Sequence, residues 1–392
     1  MTSHPAQTAQ PAIDATPMTA LRAARIWSRH LLALAFPLNA LAFVLTGPHE
    51  GATGLLFLLP MIVCGYLDSK APPERRAPSP DMPAWPFNLL LLVLIVLQVA
   101  NVVLLANMLS QQQWASLDTL LGILIVGASS GYSGIVVAHE LIHRPRWGTR
   151  QLGRLLLSTV MYEHFYTEHV RGHHVRVGTP QDPATARFGE TFGQFYVRTV
   201  PAQFRSAWRL ETARLGDIDM PLYDLRLLRS RVVQGVVFEV GFAAALGALF
   251  GPLALTVHLL QALWASRALE VVNYFEHWGI TRTSRGVEPQ HSWDTESWFT
   301  YYALTGLSRH ADHHAFASRP YEQLRTSDES PKLPRGYLAM FPLVLGRNGR
   351  FQKLATAELK KRGIGPFAEQ AEQAEQAPQA EQAPQAPQAQ AS

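Results

Sequence analysis

The apolar residues of the chain lie in long blocks. In soluble domains they would instead recur at the spacing of helices or strands. The blocks lie near residues 31–46, 52–67, 87–109, 119–138, 234–250 and 253–272. A helix needs about 20 apolar residues to cross the roughly 30 Å of hydrocarbon in a bilayer. The pattern predicts an all-α integral membrane protein with about six transmembrane helices, and it places the polar segments 144–232 and 278–350 outside the bilayer.

Basic residues lie beside the apolar blocks on one side only. They are Arg22, Arg25, Arg29, Lys70, Arg75, Arg76, Arg144, Arg146 and Arg150. The connecting stretches on the other side, "GPHEG", "LSQQQWAS" and "FGP", contain neither lysine nor arginine. Because lysine and arginine concentrate in cytoplasmic loops, six spans would leave both termini in the cytoplasm. The net charge of +4 then reflects topology, and we expect no nucleic-acid partner.

The two ends of the chain contrast with its apolar middle. Residues 1–25 are expected to form a cytoplasmic tail without a removable signal peptide, and residues 26–350 the transmembrane catalytic domain. Residues 367–392 repeat Ala, Glu, Gln and Pro, which predicts a disordered tail. Cys64 is the single cysteine of the chain. It can form neither an internal disulfide nor a cysteine-ligated iron centre, so any electrons must arrive from another protein.

The stretch "HELIH" at residues 139–143 matches the H-E-x-x-H pattern of zinc peptidases. However, it holds only two of nine histidines that cluster in four places. The nine are His139, His143, His169, His173, His174, His277, His310, His313 and His314. Lone histidines on apolar helices, such as His30 and His258, are expected to be core residues instead. One zinc ion would leave most of the nine unexplained.

The spacing of the clustered histidines predicts metal ligands. Residues three or four apart share a helix face, so we expect His139 with His143, and likewise the histidines within "EHVRGHH" and within "RHADHH", to project in a common direction. Neutral imidazole binds iron, copper, zinc and nickel. Nine ligands divided between two metals would give four or five each, which favours a dinuclear centre at one membrane face. An intramembrane zinc metalloprotease and a non-catalytic metal-binding or transport protein remain as alternatives.

Five sequence segments together resemble a known enzyme family. They are "HELIH", "HFYTEHVRGHHVRVGTPQDPATARFGE", "NYFEHWGI", "HSW" and "LSRHADHHAFASRPYEQLR". In this order they are similar to the bacterial membrane alkane 1-monooxygenases, which belong to the histidine-box superfamily of membrane fatty acid desaturases and hydroxylases. The resemblance covers roughly residues 25 to 350.

The resemblance implies a non-haem diiron centre in which the nine histidines ligate two iron ions. It implies terminal hydroxylation of medium- or long-chain n-alkanes to 1-alkanols with O2. Electrons would come from rubredoxin through rubredoxin reductase and NAD(P)H, at the bacterial inner membrane. Glu276 would be the catalytic near-metal carboxylate, and Glu140, Glu168, Asn273 and Asp312 would support the ligands from a second shell. Hydroxylases of methyl-arenes or terpenes and fatty acyl desaturases share the boxes, so they remain alternatives.

Overall fold

The computed structural model describes residues 18–79, 81–110, 112 and 116–368, and these residues are helical without any strand, which confirms the all-α prediction. The α-helices are α1 (Ala20–His30), α2 (Ala35–Thr46), α3 (Leu59–Lys70), α4 (Trp85–Leu109), α5 (Leu117–Ser129), α6 (Val136–His143), α7 (Trp147–Ser158), α8 (His164–Glu168), α9 (His174–Arg176), α10 (Phe192–Arg214), α11 (Arg231–Phe250), α12 (Pro252–His277), α13 (Trp298–Ala303), α14 (His310–Ala315), α15 (Tyr337–Gly346) and α16 (Asn348–Arg362). Two π-helices occupy Ser130–Ile135 and His169–His173. The part of the predicted disordered tail from residue 369 onward lies outside the described residues.

Five helical segments of the described chain are long and apolar enough to cross a membrane. They are Ala20–Thr46, Thr53–Lys70, Trp85–Leu109, Leu117–His143 and Arg231–Phe250. The sixth predicted span corresponds to α12, which has 26 residues but carries Arg267, Glu270 and Glu276. The count of six spans and the cytoplasmic side therefore stay predictions.

Polar side chains inside the bundle are paired with one another. In the middle of α4, the Gln98 amide donates to the hydroxyls of Ser130 and Thr159 at 3.0 and 3.1 Å, and Ser133 donates to its carbonyl at 3.2 Å. All four residues are buried. Hydrocarbon offers no alternative partners, so polar groups at membrane depth turn toward the protein interior. This network fixes α4 against the π-helix that leads into α6.

Short helices carry the histidines outside the long segments, and a buried carboxylate anchors one of them. Asp294 accepts a hydrogen bond from the backbone N–H of Ala311 at 2.7 Å, in the first turn of α14. It also accepts from the Ser330 hydroxyl at 2.9 Å. A carboxylate near the first turn of a helix satisfies free N–H groups and suits the helix dipole. Asp294 thereby positions α14 without support from a long helix.

Asp68, in the last turn of α3, connects three separate parts of the chain. Its carboxylate accepts hydrogen bonds from the hydroxyls of Ser297 and Thr300 at 2.6 and 2.7 Å, and from the N–H of Ala339 at 3.2 Å. A Cβ at Gly336 would lie 1.8 Å from the Asp68 carboxylate, so the close approach requires glycine there. Through these contacts, α3 holds α13 and the start of α15.

We predict that Asp68→Ala destabilises the protein. Three buried donors would lose their acceptor, for a total cost of about 3 kcal/mol. Thermal unfolding of the detergent-purified protein should show a clearly lower midpoint than wild type. Asp81→Ala, which removes an exposed carboxylate, is the matched control and should unfold like wild type. Equal midpoints for the two variants would contradict the anchoring role.

Candidate metal centre

The nine clustered histidines lie together at one end of the helical bundle, and their imidazole nitrogens fall into two groups. The five-histidine group is His139, His143, His169, His174 and His313, and the four-histidine group is His173, His277, His310 and His314. Within each group one nitrogen per residue lies within 4.8 Å of all the others. The two groups adjoin each other, since the rings of His174 and His314 stack with centroids 4.3 Å apart.

Helix type decides how the histidines of "EHVRGHH" divide. A π-helix spans His169–His173, and in a π-helix residues five apart are hydrogen-bonded neighbours. His169 and His174 therefore belong to the same group, and His173 to the other. The expectation that His169 and His173 project in a common direction, which assumed α-helical spacing, was wrong. His139 and His143 lie in the regular α6 and do share a group, as predicted.

The histidines of "RHADHH" also divide between the groups. Within α14, His310 and His314 are four residues apart and point into the four-histidine group, while His313 points into the five-histidine group. Successive residues of an α-helix are rotated by about 100°, so positions i+3 and i+4 can face two adjacent centres. The predicted common direction was wrong for His313. Both split clusters lie between the two groups and contribute to each.

Several of the imidazole nitrogens are buried without a protein partner. The Nε2 atoms of His139, His143 and His173 make no hydrogen bond among the described residues. Burial, and then the neighbouring imidazoles, lower the pKa of His169 and His313 well below the usual value, so these rings are uncharged. Neutral imidazoles offer a lone pair, and unpaired buried polar atoms cost free energy unless a ligand compensates. Metal ions meet this requirement.

The spacing of the nitrogens agrees with metal coordination. Nε2–Nε2 distances of 2.9–3.2 Å join four pairs: His169 with His174, His174 with His313, His277 with His310, and His310 with His314. Around an ion with bonds of about 2.1 Å, ligands at right angles lie about 3 Å apart and opposite ligands about 4.2 Å apart. No separation within either group exceeds 4.8 Å, so only small inward movements are needed. The donor sets therefore fit two metal ions.

Asp182 orients one of these histidines. Its carboxylate lies 2.8 Å from Nδ1 of His173 and also accepts from the Thr185 hydroxyl at 2.6 Å and the Ala184 N–H at 3.2 Å. A proton held between Nδ1 and a fixed carboxylate leaves the Nε2 lone pair directed into the four-histidine group. Asp182 was not among the site residues predicted from the sequence. The available signal was a lone acidic residue between two prolines in "GTPQDPAT", within the segment that carries the resemblance.

Glu276 lies at the edge of the four-histidine group, with its Oε2 atom 3.3 Å from Nε2 of His310. Its Oε1 atom accepts a hydrogen bond of 2.6 Å from the Tyr337 hydroxyl. The "HSW" segment supports the same turn, because the Trp293 N–H donates to the Glu276 carbonyl and its indole N–H to the Trp278 carbonyl. Tyr337 is distant in sequence from the histidines and gave no local signal. It joins the site only through the fold.

Two of the predicted supporting residues pair with arginines. Glu140 forms an ion pair of 2.5 Å with Arg144, one helical turn further along the chain. Asp312 forms one of 2.5 Å with Arg319. In both cases an arginine beside the histidine cluster binds the carboxylate, so these pairs hold the loops that follow α6 and α14. A second-shell role for either residue stays a prediction.

The other two predicted supporting residues have different partners. Glu168 binds the guanidinium of Arg176 at 2.7 Å, across the π-helix that carries two ligands. The amide of Asn273 donates to Glu270 at 3.3 Å, one turn before His277. These contacts fix the backbone next to the histidines, and direct support of an imidazole by either residue stays a prediction.

An apolar cavity of about 390 Å³ lies beside the histidine groups. α3, the segment Leu117–His143, α12 and α15 contribute to its walls, with residues such as Met61, Leu338 and Phe341. The lining includes Val136, one turn before His139, and Leu307, one turn before His310. The cavity therefore extends from the membrane-length helices to the metal-binding end of the bundle, and its lining suits a hydrocarbon chain.

A basic groove lies on the outer side of the four-histidine group. Five arginines line it, namely Arg176, Arg187, Arg198, Arg205 and Arg209. Arg176 and Arg198 pair with acidic residues, and Arg187 lies near Glu190, while Arg205 and Arg209 form no ion pair in the described part of the chain. Asp182, the carboxylate that contacts His173, also lines the groove. The basic groove is therefore connected to His173 through Asp182, which lines the groove and contacts the His173 ring.

Comparison with known proteins identifies the family. The sequence profile of the fatty acid desaturase family matches residues 113–344. Alkane 1-monooxygenase 1 of Pseudomonas aeruginosa is 35% identical over 341 residues, which cover 84% of this chain and 88% of the relative. Alkane 1-monooxygenase 2 of the same organism is 36% identical over 74% of this chain and 78% of its own. The hydroxylase component of the xylene/toluene monooxygenase of Pseudomonas putida is 25% identical over 52% and 55%. The chain belongs to the alkane 1-monooxygenases of the fatty acid desaturase superfamily.

Proposed function

We propose that this enzyme hydroxylates the terminal carbon of medium- or long-chain n-alkanes with O2, yielding 1-alkanols, at two iron ions held by the nine histidines. The observation that carries the proposal is the apolar cavity that reaches within one helical turn of His139 and His310, between the two histidine groups and the membrane-length helices. The relatives named as alkane 1-monooxygenases support the same reaction.

The iron ions would supply the activation of dioxygen and the oxidation of an unactivated carbon–hydrogen bond. The protein's own residues bind and orient the substrate. The cavity holds the alkyl chain away from water and directs one end toward the histidines, which selects a terminal carbon. Glu276 lies against His310, and the Tyr337 hydroxyl fixes its carboxylate. We assign Glu276 the role of orienting this ligand beside the reacting end of the substrate.

The structure disfavours a zinc metalloprotease. In such an enzyme the glutamate of "HELIH" must be free to activate a metal-bound water. Here the Glu140 carboxylate is paired with Arg144 and accepts from the Tyr321 N–H at 3.4 Å. In addition, His139 and His143 share their group with three further histidines, which leaves no simple three-ligand zinc site.

Three alternatives within oxygenase chemistry remain. The relative named as a xylene/toluene monooxygenase component favours a methyl-arene as the second candidate substrate, because a methyl group on a ring is also a terminal carbon. Fatty acyl desaturation and terpene hydroxylation would use the same donor set. The identity of the product separates these reactions, since only hydroxylation of an alkane gives a 1-alkanol.

We further propose that rubredoxin, reduced by rubredoxin reductase and NAD(P)H, delivers electrons at the basic groove. Arg205 and Arg209, which form no ion pair in the described part of the chain, provide positive charge that attracts an acidic donor protein. Asp182 then offers a short path, because it lines the groove and contacts His173 at 2.8 Å. The groove must face the cytoplasm for this role. That is the side predicted for both termini in a multi-pass protein of the bacterial inner membrane.

Removal of a ligand should abolish the reaction. We expect membranes containing the wild-type protein, rubredoxin, its reductase, NADH and octane or hexadecane to form the 1-alkanol, and purified wild-type protein to contain about two irons per chain. His313→Ala and His314→Ala each remove a nitrogen from a different group, so both should lose iron and product. Metal analysis and gas chromatography measure the two effects.

The matched control is His258→Gln, which changes a buried histidine outside both groups and should keep iron and activity. One zinc per chain without iron would contradict the diiron assignment. Absence of a hydroxylated product from alkanes, methyl-arenes and fatty acyls would contradict the proposed reaction as a whole.

Asp182→Asn should weaken metal binding at the four-histidine group. The amide cannot hold the proton of His173 as a carboxylate does, and loss of such support typically lowers metal affinity or activity by about 10- to 100-fold. Iron retention during dialysis against a chelator measures the effect. Asp219→Asn, which changes an exposed carboxylate, should retain iron like wild type. Identical retention by the two variants would remove Asp182 from the site.

Arg205→Glu/Arg209→Glu should weaken the docking of the electron donor. Reversal of two groove charges should raise the apparent KM for rubredoxin about tenfold, with little change in kcat at saturation. The salt dependence of the rate at low rubredoxin concentration should also become weaker. Arg285→Glu/Arg350→Glu reverses two charges outside the groove and is the control. An unchanged KM for the groove variant would place the donor elsewhere.

A further inference from the structure

A polar groove of about 320 Å³ opens near the start of the first membrane-length segment, away from the histidine groups. One wall is a face of α1, which contributes Arg22, Arg25 and Arg29 at spacings of three and four residues. The other wall contains Ser79 and Tyr302. Neither the metal centre nor the proposed reaction uses these residues. An amphipathic helix with arginines along one face is typical of membrane surfaces.

The acidic residues of the groove are already paired, so the groove is positively charged. Glu74 forms an ion pair with Arg76. Glu322 lies 3.5 Å from the guanidinium of Arg144. Both carboxylates are buried. Glu322 shares Arg144 with Glu140, but Arg25, Arg29 and Arg76 outnumber Glu74 and Glu322 in the lining, so the groove carries net positive charge.

Further groups are available to an anion. Neither Arg25 nor Arg29 has an acidic partner in the described part of the chain, and Arg29 donates only to the Tyr302 hydroxyl, at 3.3 Å. His30, which also lines the groove, is 2% exposed, and its Nδ1 atom makes no hydrogen bond. The unpaired ring nitrogen of His30 and the guanidinium groups of Arg25 and Arg29 belong to residues that line one groove, which indicates a site for an anionic oxygen.

The surroundings of the groove indicate a lipid. Trp85, at the start of α4, is 68% exposed, and Leu21, on α1, is 81% exposed. Exposed tryptophan beside a membrane-length helix is typical of the headgroup level of a bilayer. Ile26, Met82 and Phe87 add apolar surface to the groove itself. This surface suits the glycerol and acyl carbons of a phospholipid, which free phosphate lacks.

We propose that the groove binds the phosphate headgroup of an anionic phospholipid, with Arg25 and Arg29 as its main ligands. The proposal rests on the predicted cytoplasmic position of this end of the helices and is independent of the reaction. Basic pockets between membrane helices on that side bind anionic headgroups. The groove wall also connects to the metal centre, because Arg309, next to His310, donates to the backbone carbonyl of Arg76 at 3.0 Å. A bound headgroup therefore braces the loop on which α14 begins.

Lipid retention tests the proposal. The full-length protein is placed in nanodiscs of equal parts phosphatidylglycerol and phosphatidylcholine, and bound lipids are counted by native mass spectrometry. Wild type should retain phosphatidylglycerol about 30-fold over phosphatidylcholine, given about 1 kcal/mol for each of the two arginines. Arg25→Gln/Arg29→Gln should reduce this preference to within about twofold. Arg146→Gln/Arg229→Gln removes the same charge beside other spans and should keep the preference.

Three results would overturn the proposal: an unchanged preference in the groove variant, an equal loss in the control variant, or displacement of the lipid by excess inorganic phosphate, which would indicate a site for free anions. Arg25→Gln alone should still lower the preference if the double variant does not fold, because Arg25 is exposed. A photoreactive phosphatidylglycerol analogue gives a second measurement on wild type. Its crosslinks should map to α1 and to the loop containing Ser79, and crosslinks only elsewhere would contradict the site.

Discussion

The gathering of nine imidazoles, most of them buried, at one end of a helical bundle is the constraint on which the rest of this structure depends. Each buried nitrogen needs a partner, and the protein supplies few, as the unpaired Nε2 atoms of His139, His143 and His173 demonstrate. The rings come from four separate places in the chain, so long helices alone cannot deliver them. Short helices position these rings, and each short helix needs its own anchor. Asp182 provides one at His173, and Asp294 provides another at the start of α14.

The same constraint explains the composition of α12. This helix delivers His277, and its polar residues face the protein interior. Glu270, for instance, accepts hydrogen bonds from the Tyr162 hydroxyl at 2.8 Å and the Gln203 amide at 2.9 Å. A helix that is buried among others and carries part of a metal site does not have to be uniformly apolar. For that reason α12 falls outside the segments that satisfy length and hydropathy alone, although its 26 residues are enough to cross a membrane.

Local patterns in the sequence predicted the helical class, the membrane-length segments and the nine histidines, because each depends on neighbouring residues only. The division of the histidines into two groups depended on the π-helix at His169–His173, which no spacing rule for α-helices contains. Asp182 and Tyr337 were not predicted as site residues for another reason. Their importance comes from contacts across the fold, and a single carboxylate or hydroxyl in a loop has no pattern of its own.

The small residues of "GASSGYSG", residues 127–134, serve both close helix packing and the apolar cavity. A Cβ at Gly127 would lie 3.1 Å from the Gln261 carbonyl, and one at Gly131 would lie 3.2 Å from the Ala268 Cβ, so α12 approaches this segment closely. Yet Ala128 and Gly131 also line the apolar cavity. The residues that set the distance between two helices thus also set the width of the cavity near the metal-binding end. There the width of the cavity and the packing of the two helices cannot vary independently. The other end of the cavity, at residues such as Leu345 of α15, is free to vary with the length of the substrate.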